Sequence, residues 1–177
     1  MKIIKKLALA LVAAIVAVLL FATTRPNALH VERTTTINAP ADKIFPYIND
    51  FHQWKAWSPY EQRDPDMKRT YSRAPAGQGS VYEWQGNSNV GSGRMEITGA
   101  TPPSKIVIKL DFSAPIEGHN IATFTMQSSG AATNVTWAMD GPTPYLGKVI
   151  GVFMNMDRMI GTDFVTGLDN LKRLAES

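Results

Sequence analysis

The stretch at residues 49–59, NDFHQWKAWSP, lies where one sequence pattern gives way to another, and it decides the fold. Residues 51–57 predict a short helix, which ends at the Ser-Pro pair that follows. Upstream, residues 29–38 are rich in β-branched side chains and predict a strand. Between the two, an apolar stripe over residues 44–48 predicts another short helix, which begins at a proline suited to a first helical turn.

Downstream of this stretch, apolar residues recur at every second position. Ile106, Ile108 and Leu110 alternate with more polar neighbours, and clusters of Gly, Pro, Ser and Asn separate one such run from the next. One-sided strands of this kind form an antiparallel sheet with one face covered and the other in water. Six strands are therefore predicted, at residues 67–72, 80–85, 93–100, 105–112, 119–127 and 133–140.

The chain closes with apolar residues at spacings of three and four from Leu146 to Leu174, which predict one long helix. The order is strand, two short helices, six strands and one helix. We therefore predict an α+β helix-grip fold, in which a curved, seven-stranded antiparallel sheet wraps around a long C-terminal helix. A sheet bent in this way leaves space beneath the helix, and apolar side chains would line it.

The first two dozen residues predict a membrane anchor. Leu7–Ala22 is an unbroken apolar run, and a helix from Leu7 to Thr24 would rise about 27 Å, close to the thickness of a bilayer core. Three lysines precede the run, which favours a cytoplasmic N-terminus and a domain on the extracytoplasmic, periplasmic side. A cleaved signal peptide is the alternative, with a poor cleavage site near residue 24. The predicted organisation is an anchor at 1–24, with residues 3–24 contacting the membrane, a linker at 25–28 and a domain at 29–177.

Charge and cysteine content exclude several classes of function. The net charge is +3, but residues 1–28 alone hold four basic and no acidic side chains, which leaves 14 basic and 15 acidic side chains in the domain. Nucleic-acid binding needs basic clusters on the domain itself, so we do not expect it. The chain has no cysteine, which excludes disulfides, thiolate metal sites and a cysteine nucleophile.

The stretch at 49–59 also resembles the SRPBCC superfamily, the START-like domains that include polyketide cyclases, lipid-transfer domains and birch-pollen-allergen-type proteins. NAPA at 38–41 followed by IFPYI at 44–48 is similar to that superfamily's first strand-to-helix passage. GSVYEW at 79–84 and GSGRMEI at 91–97 resemble its central strands. The resemblance implies a helix-grip fold with an internal hydrophobic cavity, in proteins that are either enzymes or binders. No single catalytic motif defines the superfamily, so no catalytic residue is assigned.

Ten side chains are candidate lining of such a cavity. Trp54 and Trp57 belong to the second short helix, where they either seal the cavity mouth or contact a ligand. Parity or helical spacing places the other eight on the inner face; each taken singly is more typical of a core residue, but several must line any cavity that exists. The ten candidate ligand-binding residues are Trp54, Trp57, Tyr82, Trp84, Met95, Phe112, Phe124, Trp137, Phe153 and Met156. The predicted long helix adds flexible methionines and four glycines, which suit either close approach of a ligand or close packing on a bent sheet. Those glycines are Gly147, Gly151, Gly161 and Gly167.

Ionisable residues give weaker indications. The three histidines, His30, His52 and His119, have no metal-binding spacing, and we expect neither a metal nor another cofactor. His52 lies near Asp50 and is either a base at the cavity mouth or a solvated surface histidine. Parity puts Arg94, Glu96 and Asp111 on the solvent face. Asp157 and Arg158 lie beside apolar helix positions, where a surface ion pair or a contact with a polar ligand head is possible.

Three functions remain open from the sequence. The first is a membrane-tethered carrier or sensor, a monomer that binds a hydrophobic small molecule or lipid. The second is a cyclase- or dehydrase-like enzyme that uses the same cavity and needs an ionisable group inside it. The third is an accessory domain that binds another envelope protein.

Overall fold

Two prolines define where the first helices of the domain begin. Pro40 caps the first, and Pro59 is the first residue of another, because a proline ring fits the first helical turn, where its missing N–H costs nothing. Between them Asp50 caps a 3-10 helix, and its carboxylate accepts a hydrogen bond from the backbone N–H of His52 at 2.9 Å.

The computed structural model describes residues 2–177. Its helices are α1 (Lys2–Thr23), α2 (Ala41–Asn49), a 3-10 helix (Phe51–Ala56), α3 (Pro59–Arg63), α4 (Tyr145–Phe153) and α5 (Met156–Glu176). Its strands are β1 (Ala28–Ile37), β2 (Lys68–Arg73), β3 (Ser80–Gln85), β4 (Ser92–Thr101), β5 (Lys105–Ala114), β6 (Gly118–Ser129) and β7 (Ala132–Pro142).

The seven strands form one antiparallel sheet in the order β1-β7-β6-β5-β4-β3-β2. The last strand in sequence pairs with the first, Leu29 opposite Gly141 and Ile37 opposite Thr133, so the sheet curls around α5. This is the helix-grip fold that the sequence pattern predicts, and the α+β class is confirmed.

Two predicted features differ from the structure. The long C-terminal helix is present as α5, but it does not begin near Leu146 as predicted, because Met154 is extended and separates α4 from α5. Asn155 caps α5, and its side-chain oxygen accepts a hydrogen bond from the backbone N–H of Arg158 at 2.9 Å. The other difference is α3, a helix of five residues that starts at Pro59, where the sequence predicts only the end of the second short helix.

The inner face of the sheet is covered differently at the two ends of its strands. At the distal end, where β1 ends and β7 begins, Lys172 donates to the Thr36 carbonyl at 2.8 Å and Glu176 accepts from the Asn38 N–H at 2.6 Å. The other end of α5 pairs Asp157 with Arg33, in the middle of β1, at 3.0 Å. The C-terminal helix therefore covers the distal half of the inner face. At the proximal end, where β1 begins and β7 ends, the inner-face side chains Leu29, Leu110 and Phe112 are only partly buried.

Helix α1 emerges at the proximal end. Among the described residues it is the one helix long and apolar enough to cross a membrane, a property that signal sequences share. Nearly all its side chains are exposed. It lies against α4, since the Tyr145 hydroxyl donates to the Leu19 carbonyl at 3.0 Å.

Candidate functional site

The space between the sheet and the helices is occupied by stacked aromatic rings. The indole of Trp137 on β7 lies parallel to the ring of Phe164 on α5, with ring centroids 4.1 Å apart and planes 9° apart. On its other flank is Phe124, with centroids at 4.9 Å, and Trp57 meets it edge-on at 5.7 Å. A Cβ atom at Gly167 would come within 2.8 Å of the Trp137 ring, so this glycine permits close packing of α5 on the sheet.

Most of the ten predicted lining residues belong to this interior. Seven are buried in one apolar core: Trp54, Trp57, Tyr82, Trp84, Met95, Phe124 and Trp137. Phe112 is partly buried at the proximal rim, and Met156 is partly exposed at the start of α5. Phe153 does not face the interior, because it ends α4 with 72% of its surface exposed. That these side chains contact a ligand remains a prediction.

Two pockets of the described chain lie elsewhere. One, of about 540 Å³, is on the outer face of the sheet and is lined mainly by polar and charged side chains, among them Lys68, Glu83, Arg94, Asp111 and His119. The other, of about 460 Å³, lies between α2 and the loop after β2. The interior next to α5 is filled by the rings of Trp137, Phe124 and Phe164, whereas the sequence predicts an open cavity there.

Two buried side-chain polar atoms of the described chain lack a partner: Asn49 Oδ1 at the end of α2 and, among the aromatic rings of the interior, the indole nitrogen of Trp137. Three tryptophans donate their indole N–H to backbone carbonyls: Trp54 to Ile48 at 3.0 Å, Trp57 to Tyr47 at 3.0 Å and Trp84 to Val90 at 3.2 Å. Within residues 2–177 the N–H of Trp137 has no acceptor, although the residue is 3% exposed. A buried donor without a partner costs about 1–3 kcal/mol, so it marks a position where an oxygen atom of a guest would be favourable.

An ionisable cluster also faces the interior. Glu61 on α3 is 5% exposed, and its carboxylate accepts hydrogen bonds from Arg69 Nε at 2.7 Å and from the Tyr82 hydroxyl at 2.5 Å. The same guanidinium donates to the Met67 carbonyl at 2.7 Å. Tyr71 stacks on the ring of Tyr82 with centroids at 5.1 Å. Neither Glu61 nor Arg69 is among the predicted site residues, because α3 is not predicted from the sequence and Arg69 lies on a different element, β2, with no sequence signal that links the two.

Residues 28–176 match the model of the family described as polyketide cyclase / dehydrase and lipid transport. The chain belongs to this family. The match covers residues 29–176 of the domain predicted for residues 29–177 and leaves out α1.

Solved structures of low sequence identity share the fold. Protein CV1439 from Chromobacterium violaceum has a TM-score of 0.59 at 16% identity, over 86% of this chain and 99% of that one. Major latex-like protein 151 from Panax ginseng has a TM-score of 0.58 at 10% identity, over 86% and 100%. The di-domain ARO/CYC StfQ of the steffimycin biosynthetic pathway has a TM-score of 0.62 at 14% identity, over 84% of this chain and 51% of StfQ. No curated protein matches the sequence significantly.

The histidines of this family member lie at the surface, each beside an aspartate. His30 is 2.6 Å from Asp140, His119 is 2.7 Å from Asp111, and His52 is 2.8 Å from Asp50. Hydrogen bonding to the neighbouring carboxylate raises the pKa of His30 and of His119. His52 also stacks on Tyr71, with centroids at 4.1 Å, which ties the 3-10 helix to β2.

The other charged candidates occupy positions on the solvent side. Arg94 and Glu96 pair at 2.7 Å on the face of β4 opposite to the buried Met95 and Ile97. Asp157 forms the ion pair with Arg33 described above, which agrees with the surface interpretation for that residue.

We expect the protein to lose stability in alkali because of its buried tyrosines. Burial, and then the hydrogen bond to Glu61, raises the pKa of Tyr82 far above its usual value of 10.0. The unfolded chain therefore releases this proton first as the pH rises. The stabilisation is complete below about pH 10, and above it the free energy of unfolding should fall by up to about 1.4 kcal/mol per pH unit for this group.

Urea denaturation in detergent between about pH 9 and about pH 12 measures this slope. Tyr82→Phe should make the slope shallower, whereas Tyr145→Phe, which alters an exposed phenol, should leave it unchanged. An identical slope in all three proteins would contradict a buried, protonated Tyr82.

Proposed function

We propose that this protein is a membrane-tethered binding domain that holds a hydrophobic small molecule or lipid against the inner face of its sheet. The observation that carries the proposal is the unpartnered N–H of Trp137 in the part of the interior that is lined by the aromatic rings of Phe124 and Phe164. An apolar molecule with one carbonyl or hydroxyl oxygen would supply the missing acceptor. The ten candidate lining residues stay part of this proposal, apart from Phe153, whose side chain is turned outward.

A ligand would reach the inner face of the sheet from the proximal end, because α5 covers only the distal half of that face. The distal half lies under α5, while Leu29, Leu110 and Phe112 remain partly exposed at the proximal end. That end also carries α1, the candidate membrane span. A ligand leaving the bilayer would meet the open end of the sheet first. Because the aromatic rings fill the interior in this structure, binding requires them to move apart.

Ligand recovery from native-source protein tests the proposal. The full chain, purified from membranes of its own host, should release an apolar molecule on solvent extraction, and the purified protein should bind a dansyl-labelled fatty acid or Nile red. Trp137→Phe keeps an aromatic ring but removes the donor, so affinity should fall roughly five-fold, for the loss of about 1 kcal/mol. Absence of any extracted molecule together with absence of probe binding would refute the proposal.

A cyclase- or dehydrase-like enzyme is the second candidate, and the observation that favours it is the inward-facing Glu61–Tyr82 pair. Such an enzyme needs a proton carrier inside the site, and a phenol hydrogen-bonded to a buried carboxylate is one. StfQ, which shares the fold, comes from a biosynthetic pathway. The same extraction discriminates the two functions: a carrier releases the same molecule from the native protein and from Tyr82→Phe, whereas an enzyme would release chemically different ones.

A further inference from the structure

Helix α4 is apolar, yet it contributes nothing to the core. Of its nine residues, YLGKVIGVF, the structure buries none. Leu146 is 58% exposed and Phe153 72% exposed, and Met154 extends the patch beyond the end of the helix. A helix with apolar residues on all sides is normally buried in a protein or in a membrane. We call Tyr145, Leu146, Phe153 and Met154 the α4 patch.

The position of the α4 patch relates it to the candidate membrane span. The Tyr145 hydroxyl donates to the Leu19 carbonyl of α1 at 3.0 Å, and Arg25 donates to the Gly151 carbonyl of α4 at 3.0 Å. These two bonds hold α4 beside the last turns of α1. Leu19 lies about 6 Å before the end of α1, at a rise of about 1.5 Å per residue. If α1 crosses a bilayer, α4 is therefore at the depth where acyl chains meet headgroups.

The charges around α4 suit that depth. The helix carries no acidic residue, and its single charged side chain, Lys148, donates to the Asn27 side chain in the linker after α1. Arg25 lies in the same linker. Basic side chains with long apolar stems are favoured where a helix meets lipid headgroups, because the stem stays in the apolar layer while the charge reaches phosphate or water.

We propose that α4 lies in the interfacial layer of the bilayer that α1 enters, as a second membrane contact of the domain. A helix in this position buries its apolar residues some 5–10 Å into the boundary between headgroups and acyl chains. Two contacts fix the orientation of the domain, so that the proximal opening of the sheet is directed towards lipid. The inference rests on the proposed membrane tether. The experiment below therefore measures membrane contact of α1 and of α4 separately.

The absence of cysteine from the chain allows a clean test by single-cysteine labelling of the full-length protein. Leu146→Cys and Phe153→Cys place a fluorophore on the α4 patch, Leu11→Cys places it within α1, and Ala131→Cys places it on the β6–β7 turn at the distal end. The labelled proteins are reconstituted in vesicles of phosphatidylcholine and phosphatidylglycerol. Quenching by brominated lipids and by aqueous iodide is then measured.

Lipid quenching at positions 11, 146 and 153 should exceed that at 131 several-fold, and iodide quenching should show the opposite order. If position 11 is not quenched by lipid, the membrane tether itself is wrong. If position 11 is quenched by lipid but 146 and 153 respond as 131 does, α4 faces water and the inference is overturned. Protection of 146 and 153 from both quenchers would also overturn it, because a second copy or a protein partner would then cover α4.

Discussion

Trp137→Ala is expected to lower the free energy of unfolding by about 3–5 kcal/mol, the range for removing a large aromatic side chain from a packed core. The indole is in face-to-face contact with Phe164 on α5, at 4.1 Å, and is stacked on Phe124 of the neighbouring strand, at 4.9 Å. It thus joins the sheet to the helix that the sheet surrounds. Neighbouring rings cannot collapse fully into the space that truncation leaves, so a cavity term adds to the lost burial.

Urea denaturation of the full chain in detergent, followed by near-ultraviolet circular dichroism, measures the loss. Trp137→Phe should cost much less, because it keeps a ring in the stack and removes a donor that has no acceptor among the described residues. Val165→Ala, on the exposed side of α5 next to Phe164, should change stability by no more than about 0.5 kcal/mol. A Trp137→Ala protein as stable as Val165→Ala would show that the aromatic stack does not hold the core together.

The strands were predictable because each shows its buried face at every second residue. Strand β3 has the predicted bounds, Ser80–Gln85, and the others differ from prediction by two residues or fewer at either end. Alternation assigns a side chain to a face, and the inner-face assignments of Tyr82, Met95, Phe124 and Trp137 follow from it. The alternation of apolar residues gives no information about the distance between the sheet and the C-terminal helix. An open cavity and a filled interior therefore produce the same sequence pattern.

The break between α4 and α5 could not be seen in the periodicity. Apolar residues at spacings of three and four continue through it, and the signal for the break is a single capping side chain, Asn155. Once the chain is extended at Met154, α4 is free to leave the sheet and lie against α1. Phe153, assigned to the interior on the assumption of one continuous helix, is for that reason at the surface.

The polar part of the interior was hidden for a different reason. Glu61 belongs to a helix of only five residues, too short to produce a periodic pattern. Its partners Arg69 and Tyr82 lie on two different strands, β2 and β3, and only the tertiary structure brings them to one carboxylate. A single sequence contains no signal for such a tertiary contact between side chains of three different elements.

Glu61→Ala is expected to destabilise the protein by about 3–5 kcal/mol, as removal of one member of a buried ion pair does. The remaining guanidinium of Arg69, with 15% of its side chain exposed, would lose its counter-charge in a poorly solvated site. The Tyr82 hydroxyl would lose its acceptor at the same time. The two losses arise together because a single carboxylate serves both donors.

Glu83→Ala is the matched control for this substitution. Glu83 is half exposed and lies 3.9 Å from its nearest cation, Arg94, so the loss should stay below about 1 kcal/mol. The triple variant Glu61→Leu, Arg69→Met and Tyr82→Phe should recover much of the stability, because apolar side chains of similar volume often replace a buried ion pair at little cost and the phenol that needs the carboxylate is removed with it. If Glu61→Ala costs no more than Glu83→Ala, water reaches the Arg69 guanidinium, and the carboxylate does not lie in the dry interior described above.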